Sequence, residues 1–291
     1  MKIKFLQLLS LMIMPFVFSS AYAITFLPLS TNRRGMKNLT ERLGFSRPKS
    51  RMVFAQVLAQ YVYYFFELFV LWPCGLLKYR GSEKFGNTCL LIRSQFKIPN
   101  EVGLLCLGAH YANIEAVGLM MQREFTRVGL KPYVVLAKKS KIPIINWLFE
   151  FVRQKRGLEV LWTGGPEFKQ QFNEILSTGK SLALINDQKQ KQGGSFVEFF
   201  GKKANFADKG VTSAAQNQMG VVHVTVRRIC LGYFEVLCEP GDCSHLETQE
   251  NVDIATKNIL NQFARWLEEV IRKEPGQWSW DYNKWSRNHP N

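Results

Sequence analysis

The sequence lacks the signatures of several common enzyme classes. No two of its six cysteines form a C-x-x-C pair, and no G-x-S-x-G segment marks the nucleophile of a serine hydrolase. It also has no dinucleotide-binding glycine motif and no cluster of metal-ligand residues, so we expect no metal and no bound cofactor. Histidine is scarce, with 4 in 291 residues. A covalent acyl-enzyme therefore has no evident nucleophile, and a histidine in a polar setting becomes the main candidate for proton transfer.

Acidic residues are also scarce relative to basic residues. The chain has 38 Lys and Arg against 23 Asp and Glu, a formal charge of +15 that favours an anionic lipid, an acidic carrier protein or nucleic acid as partner. The basic residues are dispersed, and the longest aromatic cluster, YVYYFFELF, contains Leu and Val, as core or membrane-facing helices do. We therefore expect no nucleic-acid partner. The cysteines lie mostly in apolar runs, which predicts reduced, buried thiols and favours a cytoplasmic catalytic domain.

The N-terminal segment carries no charge between Lys4 and Arg33. Its apolar run is long enough for the ~20 residues of a membrane-spanning helix. The SSAYA segment ending at Ala23 also resembles a signal-peptidase site, which would make the mature chain periplasmic. The apolar run continues past Ala23, and the basic NRRGMK segment beyond it suits a cytoplasmic headgroup region. We therefore predict a retained membrane anchor over residues 1–32 and one further domain over 33–291, with cleavage after Ala23 as the alternative.

Helical and strand patterns alternate along the rest of the chain. Short apolar runs at 102–107, 133–137, 158–162 and 181–187 predict strands, and the segments between them have helical periodicity. Two more strands are predicted in VVHVTVRR and YFEVLCE, followed by a long amphipathic helix from Val252 to Lys273. An aromatic-rich helix is expected over 53–77, ended at Trp72-Pro73. This pattern predicts an α/β fold with a mostly parallel central sheet flanked by helices.

Polar residues follow three of these strands. His110 comes after the strand at 102–107, Asp187 and Gln188 end the strand at 181–187, and Lys138-Lys139 follow the strand at 133–137. In open α/β sheets, ligands bind beyond the carboxyl ends of the strands, so we expect a site there.

His110 has the chemistry of a general base for a hydroxyl group. A carboxylate on its second ring nitrogen would fix the tautomer and stabilise the imidazolium, and Glu115 is the nearest candidate. Five positions along a helix correspond to about 140° of rotation, so the pair requires His110 to lie in a loop before the helix. The spacing alone is weak evidence, and a purely structural histidine remains the alternative.

Four segments in order resemble the bacterial late acyltransferases of lipid A biosynthesis. They are GAHYANIE, KIPIINWLFEFVRQKRG, GKSLALINDQKQKQGGSFVEFFGKKANFADKGVTSAAQNQMGVV and PGQWSWDYNKW. The His-x4-Asp/Glu motif is similar to that of the wider glycerolipid acyltransferases. The resemblance implies transfer of an acyl chain from acyl carrier protein to a hydroxyl of a lipid A precursor, with no cofactor beyond the acyl donor. It also implies a location on the cytoplasmic face of the inner membrane.

The resemblance assigns roles to particular residues. His110 would be the general base and Glu115 its orienting partner. Substrate-binding positions implied by the matching motifs are Arg153, Asp187, Gln188, Gly193, Gly194, Phe199 and Gly201. An arginine suits a lipid phosphate or an oxyanion, although Arg153 alone would read as a surface charge on an amphipathic helix. Asp187 would hold a cation or a donor hydroxyl, or cap a turn.

The chain departs from the family pattern at several positions. His223 stands where proline is usual, and the C-terminal motif reads Trp280-Asp281-Tyr282-Asn283-Lys284-Trp285, with one histidine lost and lysine replacing arginine. Because headgroup recognition depends on such groups, an ornithine lipid, a glycerophospholipid or an unusual lipid A remains open as acceptor. A catalytically silent, membrane-attached lipid-binding protein of the same fold is the second alternative. Neither the acyl-chain length nor the oligomeric state follows from the sequence.

Overall fold

The computed structural model describes residues 2–139, 143–154, 157–190, 193–248, 251–282 and 284–285. The chain begins with three helices, α1 (Lys2–Ile24), α2 (Ser30–Leu43) and α3 (Arg47–Phe66). A π-helical turn at Glu67–Leu71 continues α3, so this aromatic-rich helix ends just before Trp72-Pro73, as predicted from the missing amide of proline. It begins earlier than expected, with Pro48 in its first turn.

A seven-stranded sheet forms the centre of the molecule. In chain order its strands are β1 (Lys78–Arg80), β2 (Leu104–Gly108), β3 (Tyr133–Ala137), β4 (Glu159–Trp162), β5 (Ser181–Ile185), β8 (Gly220–Cys230) and β9 (Tyr233–Pro240). Their spatial order is β1-β9-β8-β2-β5-β3-β4, and only the β8–β9 pair is antiparallel. The predicted α/β class with a mostly parallel sheet is confirmed.

Helices flank this sheet because its strands are apolar on both faces. Every residue of β2 is buried. The helices after α3 are α4 (Ser82–Gln95), α5 (Ile114–Arg127), α6 (Pro143–Gln154), α7 (Phe168–Ser177), α8 (Lys209–Gln216) and α9 (Val252–Lys273). Helices α4 and α5 pack together and contact β8, while α8 and α9 form a second packed pair that contacts β2 and β8. The predicted bounds of α9 match the observed ones.

A separate hairpin of β6 (Ser195–Phe199) and β7 (Lys202–Phe206) packs on α9 and was not predicted as strands. Its two-residue turn places Phe200 at φ 52° and Gly201 at φ 68°. Positive φ at both central positions is the geometry of a type I′ turn, which follows the twist of the strands. Gly201 is therefore needed for the turn itself.

Helix α1 is apolar and largely exposed, yet it is attached to the rest of the chain. Leu6 and Ala21 of α1 are buried against Ala59 and Tyr63 of α3 and the β8–β9 turn. Large apolar side chains of α1, including Leu11 and Phe16, remain more than 70% exposed, at 74% and 76%. Among the described residues, Lys2–Ile24 and Arg47–Leu71 are the two helices long and apolar enough to cross a membrane. The second is far more buried and also suits a core helix, and the predicted boundary at residue 32 stays a prediction.

Candidate active site

The register of two neighbouring strands creates the site. In the β2–β5 pair, Gly108 lies opposite Ile185, so both parallel strands end at the same level. The chain then continues into Ala109-His110 from β2 and Asn186-Asp187 from β5, and the amide of Asn186 donates to the carbonyl of Gly108 at 2.9 Å. His110 and Asp187 therefore lie at the same edge of the sheet, as their positions after two parallel strands predict.

His110 lies in a short loop before α5, the position that its predicted pairing with Glu115 required. Asn113 caps α5 by accepting a hydrogen bond from the amide of Ala116 at 3.1 Å, so the helix begins only after the histidine. The loop is fixed by the C-terminal segment, where the amide of Ala112 donates to the carbonyl of Gln277 at 2.8 Å and Tyr111 bridges to Trp278. The imidazole is therefore held on a braced backbone and is 26% exposed.

Asp187 is the carboxylate that binds His110. Nδ1 of His110 lies 2.6 Å from Oδ1 of Asp187, and the amide of His110 donates to Oδ2 at 2.9 Å. An ionised carboxylate only accepts, so Nδ1 carries the hydrogen, and in the neutral imidazole Nε2 carries the lone pair. This arrangement directs the basic nitrogen away from the sheet.

The surroundings of Asp187 keep it ionised. Burial by itself would raise the pKa of Asp187, but the charge and hydrogen bond of His110, the nearby Lys284 ammonium and a hydrogen bond from Trp278 outweigh it and hold the pKa below its usual value. Nε1 of Trp278 donates to Oδ2 at 2.8 Å. Both carboxylate oxygens are thus engaged, which fixes the imidazole orientation.

Gln188 and Tyr282 stand at the other side of the imidazole. The side-chain amide of Gln188 lies 3.1 Å from Nε2 of His110, and because Nε2 is the acceptor, the amide donates to it. The rings of Tyr282 and His110 are 5.7 Å apart. Gln188 therefore occupies the place that an incoming hydroxyl would take.

The predicted pairing of His110 with Glu115 is wrong. The carboxylate of Glu115 binds Arg153, with Nη2 to Oε1 at 2.5 Å and Nε to both oxygens at 3.2 Å. Glu115 lies in the first turn of α5, where the helix turns its side chain toward α6 and away from the loop that carries His110. Proximity along the chain suggested the wrong partner, because the parallel register brings a residue 77 positions away closer.

Arg153 is a partly buried member of this pair, with its side chain 13% exposed. Its guanidinium also lies over the rings of Phe149 and Trp162, at 5.2 and 5.8 Å from their centroids. Lys139, which follows β3, lies over the same ring of Trp162 at 5.7 Å. Arg153 is therefore not a free surface charge, and its bidentate contact with Glu115 ties α6 to α5.

A small cavity of about 200 Å³ opens beside His110. Helix α3 contributes Tyr61 and Tyr64, α5 contributes Ile114, and the C-terminal segment contributes Gln277 and Trp278. A larger groove of about 1150 Å³ runs between α1, α3 and the end of α9, and Gln60 and Gln277 line both spaces. Apolar side chains of α1 such as Leu11, Met14 and Phe18 face the groove, which suits an elongated apolar ligand.

Gly193 and Gly194 lie at positive φ, 76° and 89°, in the segment between Gln188 and β6. A Cβ on Gly194 would come within 2.6 Å of the carbonyl oxygen of Phe206, so the close approach of two backbones requires glycine there. The side chain of Asn205 holds this segment by donating to the carbonyl of Gly193 at 2.9 Å and accepting from the amide of Gln190. These glycines shape the chain after Gln188 and do not line the cavity beside His110.

Phe199 is fully buried in an aromatic cluster below the site. Its ring meets Trp278 edge to face at 5.7 Å and stacks on Trp285 at 5.8 Å, and Nε1 of Trp285 donates to the Phe199 carbonyl. Phe199 thus reaches Asp187 only through Trp278. Gly201 lies in the hairpin turn and does not line the cavity beside His110.

Several residues of the site were missed by the sequence analysis. Trp278, Gln277 and Tyr282 belong to the PGQWSWDYNKW segment, which was noted as a motif without roles for its members. Tyr61 and Tyr64 belong to the aromatic helix, where periodicity identified a core or membrane face. Composition offered no signal for their place, because only the packing of α3 and the C-terminal segment onto the β2–β5 edge brings them to His110.

The six cysteines are free and four of them are buried, as predicted. Within the described ranges, no group of three His, Cys, Asp or Glu side chains is arranged to hold a metal ion. That the reaction needs no cofactor beyond its acyl donor stays a prediction.

Comparison with known proteins identifies the family. A search of curated proteins finds no match to this chain. The profile described as bacterial lipid A biosynthesis acyltransferase matches residues 7–287, nearly the whole sequence. The chain therefore belongs to the bacterial lipid A biosynthesis acyltransferase family, a family of enzymes that transfer acyl groups.

Proposed function

We propose that this protein transfers a fatty acyl chain from an acyl-carrier-protein thioester to a hydroxyl of a lipid A precursor, with His110 as general base. The observation that carries the proposal is the orientation of the two ring nitrogens of His110. Asp187 accepts from Nδ1, and Nε2 is directed toward Gln188 at the cavity. The family match supports acyl transfer in general, and the geometry supports the assignment of the base.

The proposed reaction has two steps. Nε2 of His110 takes the proton of the acceptor hydroxyl while its oxygen attacks the thioester carbonyl, forming a tetrahedral oxyanion. The intermediate then collapses, the carbon–sulfur bond breaks, and the imidazolium returns its proton to the departing thiolate of the carrier. Asp187 stabilises the imidazolium between the steps, and the Gln188 amide, displaced from Nε2 by the hydroxyl, becomes a donor for the oxyanion.

The cavity beside His110 is too small for a lipid, so the apolar part of the substrate needs another place. The groove between α1 and α3 adjoins the cavity at Gln60 and Gln277 and is about 1150 Å³ in volume. Its apolar side chains, together with the exposed face of α1, support a lipid acceptor drawn from a membrane. We place the enzyme at the cytoplasmic face of the inner membrane, where acyl carrier protein is the donor.

The test is an acyl-transfer assay with the purified full-length protein, acyl carrier thioester and lipid A precursor, read by mass spectrometry of the lipid. Wild type should yield a lipid heavier by one acyl chain, and His110→Ala should lose activity by about 10²–10⁴-fold. His223→Leu is the matched control, because His223 is buried in β8 and does not line the cavity. Full activity of His110→Ala would refute the base assignment.

The same assay distinguishes the alternatives. Replacing the acceptor by an ornithine lipid or a lysophospholipid tests the other lipid classes, and the heavier product identifies which one accepts the chain. A protein that binds the lipids but produces no heavier species from any of them would be a lipid-binding protein of this fold.

A further inference from the structure

A strongly basic pocket of about 320 Å³ lies on α2, apart from the His110 cavity and from the groove between α1 and α3. Four cations of α2 line it, namely Arg33, Arg34, Lys37 and Arg42, together with the ring of Trp285. Glu41 is the one acidic residue of its lining. The mechanism proposed above uses none of these charges.

Arg42 is the most shielded of these four cations. Its side chain is 6% exposed, and its Nε has no hydrogen-bond partner. The guanidinium carbon lies 4.9 Å from the centre of the Trp285 ring, so the planar group is held in one orientation. Its ion pair with Glu41 is long, with Nη2 to Oε2 at 3.6 Å, and Glu41 is shared with Lys37 at 3.7 Å. A buried guanidinium with unused donors is expensive unless an anion completes its shell.

The pocket lies close to the active site and to the end of α1. Nδ2 of Asn38 donates to the carbonyl of Trp280 at 2.7 Å, and Arg34 donates to the carbonyl of Asp281 at 3.2 Å. The next residue, Tyr282, has its ring 5.7 Å from that of His110. The segment 280–282 thus contacts α2 on one side and the imidazole on the other. On the other side, α2 begins shortly after the apolar helix Lys2–Ile24 ends.

We propose that this pocket binds the phosphate monoester of the acceptor lipid and thereby places its hydroxyl at His110. The proposal rests on the proposed function, because it assigns the headgroup subsite of the same reaction. Guanidinium groups match a phosphate bidentately, and a phosphate dianion would use the idle donors of Arg42 while Arg33 and Lys37 close around it. The volume suits a headgroup and not acyl chains, which remain on the apolar side of α1 and α3.

The experiment measures binding, so that it does not depend on turnover. The full-length protein in a non-ionic detergent is titrated by calorimetry with dihexanoyl phosphatidic acid, dihexanoyl phosphatidylcholine and inorganic phosphate. Wild type should bind the phosphatidic acid and not the phosphatidylcholine. Arg42→Gln should weaken that binding by about 10–100-fold, the usual size of a charge-assisted hydrogen bond.

Two further variants guard against misfolding and general charge effects. Arg33→Gln/Lys37→Gln changes only exposed side chains of the pocket and should also weaken binding about 10-fold or more. Lys169→Gln/Lys257→Gln removes the same charge from exposed positions of α7 and α9 and should bind like wild type. Equal weakening in this control, or wild-type affinity in both pocket variants, would overturn the proposal.

The same titrations distinguish a lipid phosphate from free phosphate. They also distinguish failure of the phosphate site from failure of the proposed acyl transfer. Inorganic phosphate bound as tightly as phosphatidic acid would overturn the lipid assignment, as would pocket variants that raise only the KM for the acyl carrier thioester. His110→Ala should bind phosphatidic acid like wild type. If it does so while wild type shows no acyl transfer at all, the phosphate site stands and the proposed reaction fails.

Discussion

Two carboxylates near one edge of the sheet, Asp187 and Glu115, bind different kinds of side chain. Asp187 is fully buried and binds an imidazole that is partly exposed to a cavity, whereas Glu115 binds a guanidinium between two helices. The first pair has a proton acceptor facing outward, and the second pair has only permanent charges that satisfy each other. Under the proposed reaction, Asp187 therefore supports proton transfer by His110, whereas the contact of Glu115 with Arg153 links α5 to α6.

The largest effect that tests this contrast is expected for Asp187→Asn. The amide cannot stabilise the imidazolium and favours the wrong tautomer, so we expect about 10²–10³-fold loss of kcat. The acid limb of the pH–rate profile should move to lower pH, because the charged ring has lost its anionic partner. The measurement is kcat against pH for wild type and variant. A variant with normal kcat would contradict the role of Asp187.

A smaller effect on rate and a larger one on stability are expected for Glu115→Gln. The change leaves the guanidinium of Arg153 without its anion in a site that is 13% exposed, which should lower the melting temperature. We expect about 10–100-fold loss of kcat through displacement of α6, with no movement of the acid limb. Glu115→Gln/Arg153→Met is the matched variant and should recover part of the melting temperature. An acid limb that moves as it does in Asp187→Asn would erase the distinction between the two carboxylates.

Lys284 is a further difference between the two carboxylates, because its ammonium lies near Asp187. Its Nζ has no hydrogen-bond partner and lies over the ring of Phe206. Burial lowers the pKa of Lys284 from 10.5 to about 7, against the opposing effect of Asp187. The unfolded chain therefore binds more protons than the folded one between about pH 7 and 10.5, and the free energy of unfolding falls as pH is lowered through this window.

Lys284→Met should remove that dependence. We expect a free energy of unfolding at neutral pH that is higher by about 1–4 kcal/mol, and a flatter profile toward pH 10. Chemical denaturation at several pH values measures both. An unchanged slope between neutral and alkaline pH would show that the buried lysine remains protonated.

The smallest effect on activity is expected for His223→Leu, since this histidine is buried and no carboxylate of the described residues is hydrogen-bonded to it. Burial lowers the pKa of His223 from 6.5 to about 3, with Asp242 acting weakly in the opposite direction. The unfolded chain binds the extra proton between about pH 6.5 and 3, so stability falls as the solution is acidified. The leucine variant should lose less stability over that range and retain wild-type kcat. A lost kcat would show that His223 acts on the site.

Local pattern was enough for much of the fold. Continuous apolar runs such as Leu104–Gly108 identified buried parallel strands, and the period of Val252–Lys273 gave an amphipathic helix with its observed bounds. The β6–β7 hairpin escaped because its strands are short and its turn uses Phe200 in place of the usual Asn or Asp before glycine. A phenylalanine at positive φ is unfavourable locally, and here the burial of its ring among aromatic side chains compensates.

The sequence alone identified the acyltransferase family and the sheet edge at which His110 and Asp187 lie. His110 and Asp187 both follow apolar strands, and parallel strands end at a common edge, so their position at one edge could be deduced from the residues. Tertiary structure alone decided the pairing. The β2–β5 register places Asp187 at Nδ1 of His110. The packing of α6 places Arg153 against Glu115, and the C-terminal segment places Trp278 against Asp187. Such pairings depend on distances of a few ångström between segments far apart in the chain, and hydrophobic periodicity carries no information on that scale.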